Sequence, residues 1–503
     1  MNIAKNLERS AFFFPSRPAV SEAGIETTYA QLNDRANRIA TSLVRLGVRP
    51  GDHVALCAPN SADWLAFYFG VLKAGAVAVT MSALLKTSEL QGSVNDSLPK
   101  MIYTYEEKLD DLLGMKRPGV LENIICPGGD LELDRLVEDG AGSFKSLERD
   151  RSDTAAILFT GGTTGIPKGV LLSHENITAA ISNVMFNERS NEKDRALCFL
   201  PFNHVFGQMH IMNATILSGG CLELLPSFDL EKVLGAMAAG KVTKLFAVPT
   251  VYVRLLSLDD LREKLKNVRY CFSAAASMAE EIVRRWKEET GLSIHEAYGM
   301  TESSSMVTYN HYYRHMVGSV GTPVSGVEIQ IRDLEGRLQA AGQEGEICIR
   351  GRNITKGYLN SPDETASVFW KDWFRSGDLG RLDEQGYLYI VDRLKDMIIT
   401  GGENVYPREI EEVLYTLPEV EECTVIGLPD KEWGERVTAL IIPKAHMTID
   451  SKALSAQLKT KLSPFKVPKE YHLVETLPKS AAGKILKREL RKQCLFKEGM
   501  DHK

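Results

Sequence analysis

The stretch LFTGGTTGIPKGV, from Leu158 to Val170, joins an apolar strand pattern that ends at Phe159 to a loop of glycine, threonine and one lysine. The glycines let backbone N–H groups turn toward an anion, and the threonines add hydroxyl donors. Lys168 adds positive charge for a leaving phosphate. The loop fits neither the Walker pattern G-x-x-x-x-G-K-[ST] nor the dinucleotide pattern G-x-G-x-x-G. Taken alone, it is more typical of a solvated turn than of a phosphate site.

Segments on both sides of this loop alternate between helical and strand patterns. Apolar residues recur at helical spacing from Leu32 to Leu46, and a glycine and the strand HVALCA follow. The same order returns in WLAFYFGVLKAGAVAVT and in two later segments, which predicts layers of parallel α/β structure over the first three hundred residues. Beyond Gly318, short alternating strands such as VEIQIRD and GEICIRG predict a β-rich subdomain.

The end of the chain predicts a separate α+β unit of about a hundred residues, which is enough for its own core. KDMIITGG resembles a strand and turn, and Pro407 stands near the start of the helix REIEEVLYTL. Further strands and one helix follow. We place the boundary at Asp392 to Lys395, which gives a large domain of residues 1–394 and a small domain of residues 395–503 joined by a short hinge.

Bulk composition excludes several classes of protein. A chain of 503 residues exceeds what one core usually serves, and its formal net charge of −6 gives no footprint for nucleic acid. No apolar run approaches the length of a membrane span, and the N-terminal apolar cluster is too short for a secretory signal. Eight scattered cysteines without a CxxC pair predict reduced thiols and a cytoplasmic location. A homodimer and a peripheral membrane contact both remain open.

TGGTTGIPKG resembles the phosphate-binding signature of the AMP-forming acyl-adenylate superfamily, which covers acyl-CoA synthetases, luciferases and nonribosomal-peptide adenylation domains. The family commonly has Ser where Gly161 stands, so one hydroxyl donor is missing here. The resemblance extends in order across nearly the whole chain and is greatest to bacterial acyl-CoA ligases. It implies ATP, Mg²⁺ and coenzyme A as the ligands, and a C-terminal domain that moves.

The resemblance implies a nucleotide site built from distant segments. In YGMTESS, Thr301 contacts the α-phosphate, Glu302 holds Mg²⁺, and Tyr298 packs along the adenine. The turn SAAAS flanks the adenine, while Asp378 and Arg393 bind the ribose and phosphates. Taken singly, Glu302 is more typical of a solvated loop acid and SAAAS of a tight packing site. The predicted ATP- and AMP-binding residues are Thr160, Gly161, Gly162, Thr163, Thr164, Gly165, Ala274, Ala275, Ala276, Glu296, Tyr298, Gly299, Thr301, Asp378, Arg393 and Lys484.

Lys484, in PKSAAGKILKREL, would be any surface lysine without the resemblance. Within the family, the matching lysine reaches from the small domain to the substrate carboxylate and the α-phosphate. His204, in LPFNHVFGQ, is placed beside that carboxylate by the same match, although a lone histidine is more often a packing residue. Zinc sites formed by His204 with His210, or by His311 with His315, lack further ligands at suitable spacing. The predicted catalytic residues are Lys484, Thr301, Glu302, His204 and Lys168.

Two further surfaces follow from the resemblance. The predicted substrate pocket consists of His204, Phe206, Val251, Ser303 and Met306, and its apolar character favours a medium- or long-chain fatty acid, with aromatic or alicyclic acids next. Lys395 is the predicted pivot about which the small domain turns. A tryptophan such as Trp433 is as typical of ordinary packing as of a coenzyme A contact. The predicted coenzyme A-binding residues are Gly401, Gly402, Glu403, Trp433, Phe465, Lys466 and Lys469.

The sequence therefore predicts a carboxylate–CoA ligase that forms an acyl-adenylate and then a thioester, releasing pyrophosphate and AMP. Two other fates of the adenylate stay open, namely transfer to a carrier protein and a luciferase-like reaction. A nucleotide-binding protein without catalysis is the third alternative. The joint presence of Lys484, Glu302, Asp378 and Arg393 favours an enzyme, and GGENVYP with Trp433 favours free coenzyme A.

Overall fold

The structure, a computed structural model, describes residues 1–160, 167–276, 278–333, 335–480 and 483–497, with only the backbone for residues 496 and 497. The helices in these residues are α1 (Lys5–Phe13), α2 (Tyr29–Arg45), α3 (Ala62–Lys73), α4 (Thr87–Ser97), α5 (Leu109–Leu113), α6 (Leu133–Asp139), α7 (His174–Asn187), α8 (Ala214–Ser218), α9 (Leu230–Ala238), α10 (Pro249–Leu255), α11 (Leu261–Lys264), α12 (Glu280–Thr290), α13 (Pro362–Ser367), α14 (Pro407–Tyr415), α15 (Ser451–Lys459) and α16 (Lys487–Lys497).

The strands of the large domain are β1 (Pro18–Glu22), β2 (Ile25–Thr28), β3 (His53–Cys57), β4 (Val77–Thr80), β5 (Met101–Thr104), β6 (Asn123–Ile125), β7 (Thr154–Thr160), β8 (Lys168–Ser173), β9 (Arg195–Cys198), β10 (Cys221–Leu224), β11 (Lys244–Ala247), β12 (Tyr270–Ser273), β13 (Ile294–Glu296), β14 (Gly299–Met300), β15 (Ser305–Met306), β16 (Thr308–Tyr309), β17 (Thr322–Pro323), β18 (Val327–Arg332), β19 (Gly345–Gly351), β20 (Phe369–Trp370), β21 (Trp373–Leu382) and β22 (Leu388–Arg393). Those of the small domain are β23 (Ile398–Thr400), β24 (Glu403–Val405), β25 (Val420–Asp430), β26 (Gly434–Pro443) and β27 (Glu470–Leu473).

Two parallel sheets form the body of the large domain. The first has the order β6-β5-β3-β4-β7-β8, and the second has the order β13-β12-β11-β9-β10-β1-β2. Every pairing in them is parallel except β7 with β8 and β1 with β2. The hairpin of β7 and β8 pairs Thr160 with Lys168, so the glycine-threonine loop connects two antiparallel strands rather than a strand and a helix.

Four of the helices between these strands, α2, α3, α7 and α9, begin at a residue whose side chain caps the first turn. Thr28 accepts a hydrogen bond from the backbone N–H of Gln31, and the Gln31 side chain accepts one from the Thr28 N–H, which fixes the first turn of α2. The apolar face of α2, including Leu32, Ile39 and Leu43, is buried in the large-domain core. Local patterning therefore places these helices against the sheets, as the sequence predicts.

The β-rich subdomain is an antiparallel sheet in the order β18-β19-β21-β20, with β22 paired to β21. Its register sets Asp378 directly opposite Arg393. Side chains of directly opposed residues lie within reach of each other in an antiparallel pair. The sheet therefore delivers a carboxylate and a guanidinium to one place.

The small domain has its own sheet, in the order β24-β23-β26-β25 with β27 paired to β26. Its buried apolar residues, such as Ile410, Val425 and Leu458, pack among themselves. The predicted fold class is confirmed: a large α/β domain of parallel layers with a β-rich part, and a small α+β domain. The boundary between residues 394 and 395 stays a prediction.

The two domains touch through a few specific contacts. Glu412 on α14 accepts a hydrogen bond of 3.2 Å from the backbone N–H of Glu280, at the first turn of α12. The Arg408 guanidinium donates to the carbonyl of Ile390 at 2.6 Å. These contacts hold the small domain beside α12 and β22. No helix in the described part of the chain has the length and apolarity needed to cross a bilayer.

Candidate active site

The carboxyl ends of the parallel strands gather the predicted site. Strands β9, β11, β12 and β13 lie side by side and in parallel, so their ends meet at one edge of the sheet. The loop holding His204 follows β9, and the turn of Ala274 follows β12. Tyr298 follows β13, and α10 with Val251 follows β11. The loops that follow these strands are up to about a hundred residues apart in the chain. The order of the strands in the sheet brings them together.

Lys484 enters this edge from the small domain. The Gly483 N–H donates to the carbonyl of Ser480 at 2.8 Å, and the Ser480 N–H donates to the carbonyl of Lys484 at 2.8 Å. A Cβ at Gly483, whose φ is +79°, would lie 2.7 Å from Val248 of the large domain, so the loop packs closely there. Burial, with the positive charge of Arg393, lowers the pKa of Lys484 to about 7, while Asp378 opposes the shift. The ammonium therefore lies among groups of both domains.

His204 belongs to the same charge environment. Burial lowers its pKa to about 4, and the positive charge of Lys484 adds to the effect. Its Nδ1 accepts a hydrogen bond of 3.2 Å from the Phe206 N–H. A neutral imidazole with one nitrogen already occupied can present its other nitrogen to a substrate oxygen.

Asp378 and Arg393 form a pair, with Arg393 Nε 3.1 Å from Asp378 Oδ1. The Tyr298 hydroxyl donates to the other carboxylate oxygen at 2.6 Å. All three belong to the predicted nucleotide-binding set, and the structure brings them together. Arg393 contributes further donors in a fixed fork, which suits phosphate or ribose oxygens.

Thr301 and Glu302 lie on a 3₁₀ turn, Thr301–Ser303, just beyond β14. Burial raises the pKa of Glu302, and the hydroxyl of Tyr358 donates to its Oε1 at 2.9 Å. The Lys168 ammonium lies 5.8 Å from the centre of the Tyr358 ring and forms an ion pair with Glu364. Lys168 and Glu302 thus share Tyr358 as a neighbour.

Tyr358 and Glu364 are contacts of this site that sequence analysis did not select. Tyr358 reaches β8 because the Leu359 N–H donates to the Gly169 carbonyl at 2.7 Å and the Leu171 N–H donates to the Gly357 carbonyl at 3.1 Å. Neither residue stands in a recognisable motif. Only the tertiary placement of this segment against β8 reveals them.

The predicted adenine turn has an unusual backbone. Ala275 has a φ of +72°, a left-handed conformation that non-glycine residues rarely adopt. Such strain concentrates at ligand-binding positions. Glu296 is the last residue of β13, two positions before Tyr298. Burial raises the pKa of Glu296 to about 8. The negative charges of Glu412 and Glu280 add to this shift, and the positive charge of Arg408 opposes it. Gly299 lies against the backbone of Ser305, where a Cβ would clash.

The predicted pocket residues Phe206, Val251, Ser303 and Met306 are all buried. Phe206 begins a π-helix, Phe206–Asn213, a form that is often found at functional sites. The hydroxyl of Ser303 donates to the carbonyls of Met300 and Ser305, so it serves the turn rather than an open cavity. Phe206 packs edge-on against Phe272, with ring centres 5.6 Å apart.

The predicted coenzyme A residues fall into two groups on the small domain. Gly401, Trp433 and Lys469 lie together, because the Gly401 N–H donates to the Trp433 carbonyl at 2.8 Å and the Lys469 ammonium sits 3.2 Å from the Trp433 ring centre. Lys466 instead pairs with Glu409 at 2.7 Å, next to Phe465. Gly402 and Glu403 continue the first group at an exposed turn.

Some predictions lie outside this geometry. Gly161, Gly162, Thr163, Thr164 and Gly165 lie outside the described residues. A cavity of about 440 Å³ lies between the domains, beside α12 and α14, and the described residues that line it include none of the predicted site. Among the described residues no group of three or more His, Cys, Asp or Glu is placed to hold a metal.

Comparison with known proteins identifies the family. The model of the AMP-binding enzyme family matches residues 7–359, and that of the AMP-binding enzyme C-terminal domain matches residues 409–484. The chain belongs to the AMP-binding enzyme family. It is an AMP-forming acid–thiol ligase, and such ligases use ATP, Mg²⁺ and coenzyme A. The resemblance seen in the sequence is confirmed.

Relatives of this AMP-binding enzyme act on different acids. A feruloyl-CoA synthase of Amycolatopsis sp is 35% identical over 96% of this chain and 97% of its own length. A long-chain-fatty-acid–CoA ligase of Bacillus subtilis (strain 168) is 33% identical over 96% and 93%. ATP-bound MatB from Rhodopseudomonas palustris has a TM-score of 0.93, with 34% identity and complete coverage of both chains, 100% and 100%. The anthranilate CoA ligase AuaEII, solved with anthranoyl-AMP, has a TM-score of 0.94 at 28% identity, covering 99% and 98%.

The residues of this AMP-binding enzyme fit a magnesium ion that is bound mainly through phosphate. Mg²⁺ usually keeps several waters and is held by one or two carboxylates plus substrate phosphates. Glu302 offers one carboxylate, half-buried and beside Thr301. Its raised pKa reflects burial without a cation, which a bound metal would offset.

Proposed function

We propose that this enzyme joins an apolar carboxylic acid to coenzyme A, with a medium- or long-chain fatty acid as the first candidate. In the first step a carboxylate oxygen attacks the α-phosphorus of ATP, and pyrophosphate leaves. In the second step the thiol of coenzyme A attacks the acyl carbon, and AMP leaves with the carboxylate oxygen. Activation is needed because hydroxide is a poor leaving group at neutral pH.

The observation that carries this proposal is the placement of Lys484. An ammonium from the small domain lies in the same charged environment as His204, Asp378 and Arg393 of the large domain. Two anions, the carboxylate and the α-phosphate, must approach each other in the first step. A positive charge between them lowers that electrostatic cost.

The remaining residues divide the work of binding. Thr301 and Lys168 bind phosphate oxygens, and the loop of residues 160–165 supplies backbone N–H groups. Asp378 and Arg393 hold the ribose, with Tyr298 and the turn of Ala274, Ala275 and Ala276 along the base. His204 orients the substrate carboxylate. Glu302 would hold Mg²⁺, which would supply positive charge to neutralise the phosphates.

The second step uses the other face of the small domain. We propose that residues 395–503 turn about Lys395, which withdraws Lys484 and brings Gly401, Gly402 and Glu403 to the adenylate. Trp433 and Lys469 then offer a ring and a charge to coenzyme A, with Phe465 and Lys466 alongside. The exposed position of Trp433 supports this role over ordinary packing.

An aromatic acid is the second candidate. Phe206, Phe246 and Phe272 form edge-on and tilted contacts around the predicted pocket, with ring centres 5.6 to 6.5 Å apart. Aromatic walls of this kind also suit a flat ring. A cytoplasmic location is part of the proposal, supported by buried thiols such as Cys57, Cys198 and Cys271.

The test is a panel of fatty, aromatic and alicyclic acids, with AMP, pyrophosphate and thioester measured with and without coenzyme A. AMP and thioester formed in equal amounts, only when acid and coenzyme A are both present, would support the proposal. Acid-dependent pyrophosphate release without any thioester would instead indicate transfer to a carrier protein. Failure of every acid to release pyrophosphate would contradict the proposed function.

A further inference from the structure

Four buried polar side chains and the partly exposed Arg269 form a network behind Phe206. Glu188, which caps the end of α7, lies 2.9 Å from the Lys244 ammonium, and Lys244 lies 3.5 Å from Asp194. Arg269 pairs with Asp194 at 2.6 Å. Apart from Arg269, these side chains and that of His210 are at most 4% exposed. The two carboxylates and the two cations balance one another, and His210 is the fifth member.

His210 connects this network to the predicted pocket. Its Nε2 lies 2.6 Å from Oε1 of Glu188, and its Nδ1 lies 3.4 Å from the Ser305 hydroxyl. The ring stacks on Phe272 at 4.4 Å and meets the edge of Phe206 at 5.2 Å. Ser305 is the neighbour of Met306 on β15. One ring nitrogen therefore belongs to the network, and the other lies among the pocket residues.

A substrate whose distal end is purely hydrocarbon suits the contact of His210 with Ser305 poorly. At 3.4 Å the contact of His210 Nδ1 with Ser305 is at the long limit of a hydrogen bond, so both groups keep capacity for a better partner. An alkyl group placed against them would leave both buried groups without a better hydrogen-bond partner, which costs free energy.

A substrate with a second carboxylate at its distal end also suits the contact of His210 with Ser305 poorly. Lys244 is engaged with Glu188, Asp194 and Ser190, and Arg269 with Asp194, so neither offers charge to a ligand. Glu188 stands directly behind His210 and would repel an anion. A hydroxyl is neutral, and it can both donate and accept.

We propose that the acid activated by this enzyme carries a hydroxyl group at the end distal to its carboxylate, bound by Nδ1 of His210 and the hydroxyl of Ser305. This rests on the proposed function, since it takes Phe206 and Met306 to line the acyl pocket. Glu188 is a positioning residue, because it holds the imidazole through Nε2. The proposal applies to a ring hydroxyl on an aromatic acid and to a chain-end hydroxyl on a fatty acid.

The test compares matched acids that differ only in the distal group: 4-hydroxycinnamate with cinnamate, and ω-hydroxyalkanoates of several lengths with the parent alkanoates. In every pair the enzyme accepts, kcat/KM should favour the hydroxy acid by about tenfold or more, because a site built around a hydroxyl is left unsatisfied without it. Dicarboxylates of matched length should be the poorest substrates.

Two variants show whether the named atoms are responsible. Ser305→Ala removes one partner, and His210→Gln removes Nδ1 while keeping a donor for Glu188. In each variant the ratio of kcat/KM for the hydroxy acid to kcat/KM for the parent acid should fall to about threefold or less. The wild-type enzyme should show a ratio of about tenfold or more. Ser304→Ala is the matched control, because the Ser304 hydroxyl donates to the Asn353 carbonyl instead, and it should keep the full preference.

Melting temperatures of all three variants establish that they are folded. An unchanged preference in folded, active Ser305→Ala and His210→Gln, or a wild-type enzyme that prefers the unsubstituted acid in every accepted pair, would overturn the inference and leave the proposed function standing. If no acid yields AMP and thioester, the proposed function fails and this inference fails with it.

Discussion

Arg393 and Asp378 face each other across β21 and β22, with the guanidinium Nε 3.1 Å from the carboxylate Oδ1. Strand register fixes this pair within the large domain. Lys484 adds its charge only through docking of the small domain. The arrangement therefore separates a pair fixed within the large domain, which we propose binds the nucleotide, from a cation carried by the small domain.

Replacing Lys484 by alanine should lower the rate of adenylation by about 100-fold or more, because it removes a charge that acts on the developing transition state. Thiolysis of chemically prepared acyl-AMP should change much less. Pyrophosphate exchange measures the first step, and thioester formation from acyl-AMP measures the second. Equal losses in the two steps would count against a lysine that serves adenylation alone.

The pH dependence of the first step follows from the same lysine. Its pKa of about 7 means that the ammonium is present at lower pH and is lost as pH rises. Since kcat/KM for ATP reports the free enzyme, it should decrease as pH rises above about 7. Saturating MgATP should move the decrease to higher pH, because phosphate charge favours the ammonium.

Lys484→Arg is the control for this profile, because arginine stays charged throughout the range. The variant should be slower but should lack the decrease near pH 7. A decrease at the same pH in both enzymes would assign it to another group.

Glu296→Gln should stabilise the ligand-free protein at neutral and higher pH. Glu296 has a pKa of about 8 in the folded protein against an ordinary 4.5, so the folded state binds more protons and loses stability as pH rises between these values. At pH 7 the substitution should raise the free energy of unfolding by up to about 3 kcal/mol. At pH 4, where both states are protonated, the gain should vanish.

Thermal or urea unfolding at the two pH values measures this difference. Glu288→Gln, on the exposed side of α12, is the matched control and should change stability little at either pH. A Glu296→Gln gain that is the same at both pH values would show that the carboxyl is not held neutral by burial.

Gly402→Leu should slow thioester formation and spare adenylation. Gly402 has a φ of +84°, and a Cβ there would meet no atom within 4 Å, so the side chain has room in this arrangement. The loss should appear only when the loop approaches the adenylate. Gly336→Leu, at another open turn with a φ of +82°, controls for backbone strain alone. Coenzyme A turnover that matches this control would remove Gly402 from the acceptor surface.

Much of the fold follows from local patterns. The periodicity of α2, the caps at its start and the β-branched strands that follow are properties of neighbouring residues, and the sequence predicts them. Asp378 and Lys484 were selected as site residues through the family resemblance of FRSGDLG and PKSAAGKILKREL, and their roles stay a prediction.

The contacts between distant segments were not predictable in the same way. Tyr358 acquires its place between Glu302 and Lys168 from pairing with β8, and Glu188 meets His210 only because α7 and the π-helix pack together. Sequence analysis considered His210 only as a zinc ligand beside His204, and it indicated no other contact for the imidazole. Such pairings depend on tertiary packing, which no short motif records.

The most direct measurement follows an oxygen atom. The acid is labelled with ¹⁸O in its carboxylate and incubated with ATP, Mg²⁺ and coenzyme A, and the nucleotide product is analysed by mass spectrometry. Attack of the acid on the α-phosphorus predicts AMP that carries a labelled oxygen, with unlabelled pyrophosphate. Label found in inorganic phosphate beside ADP, or AMP without label, would contradict it.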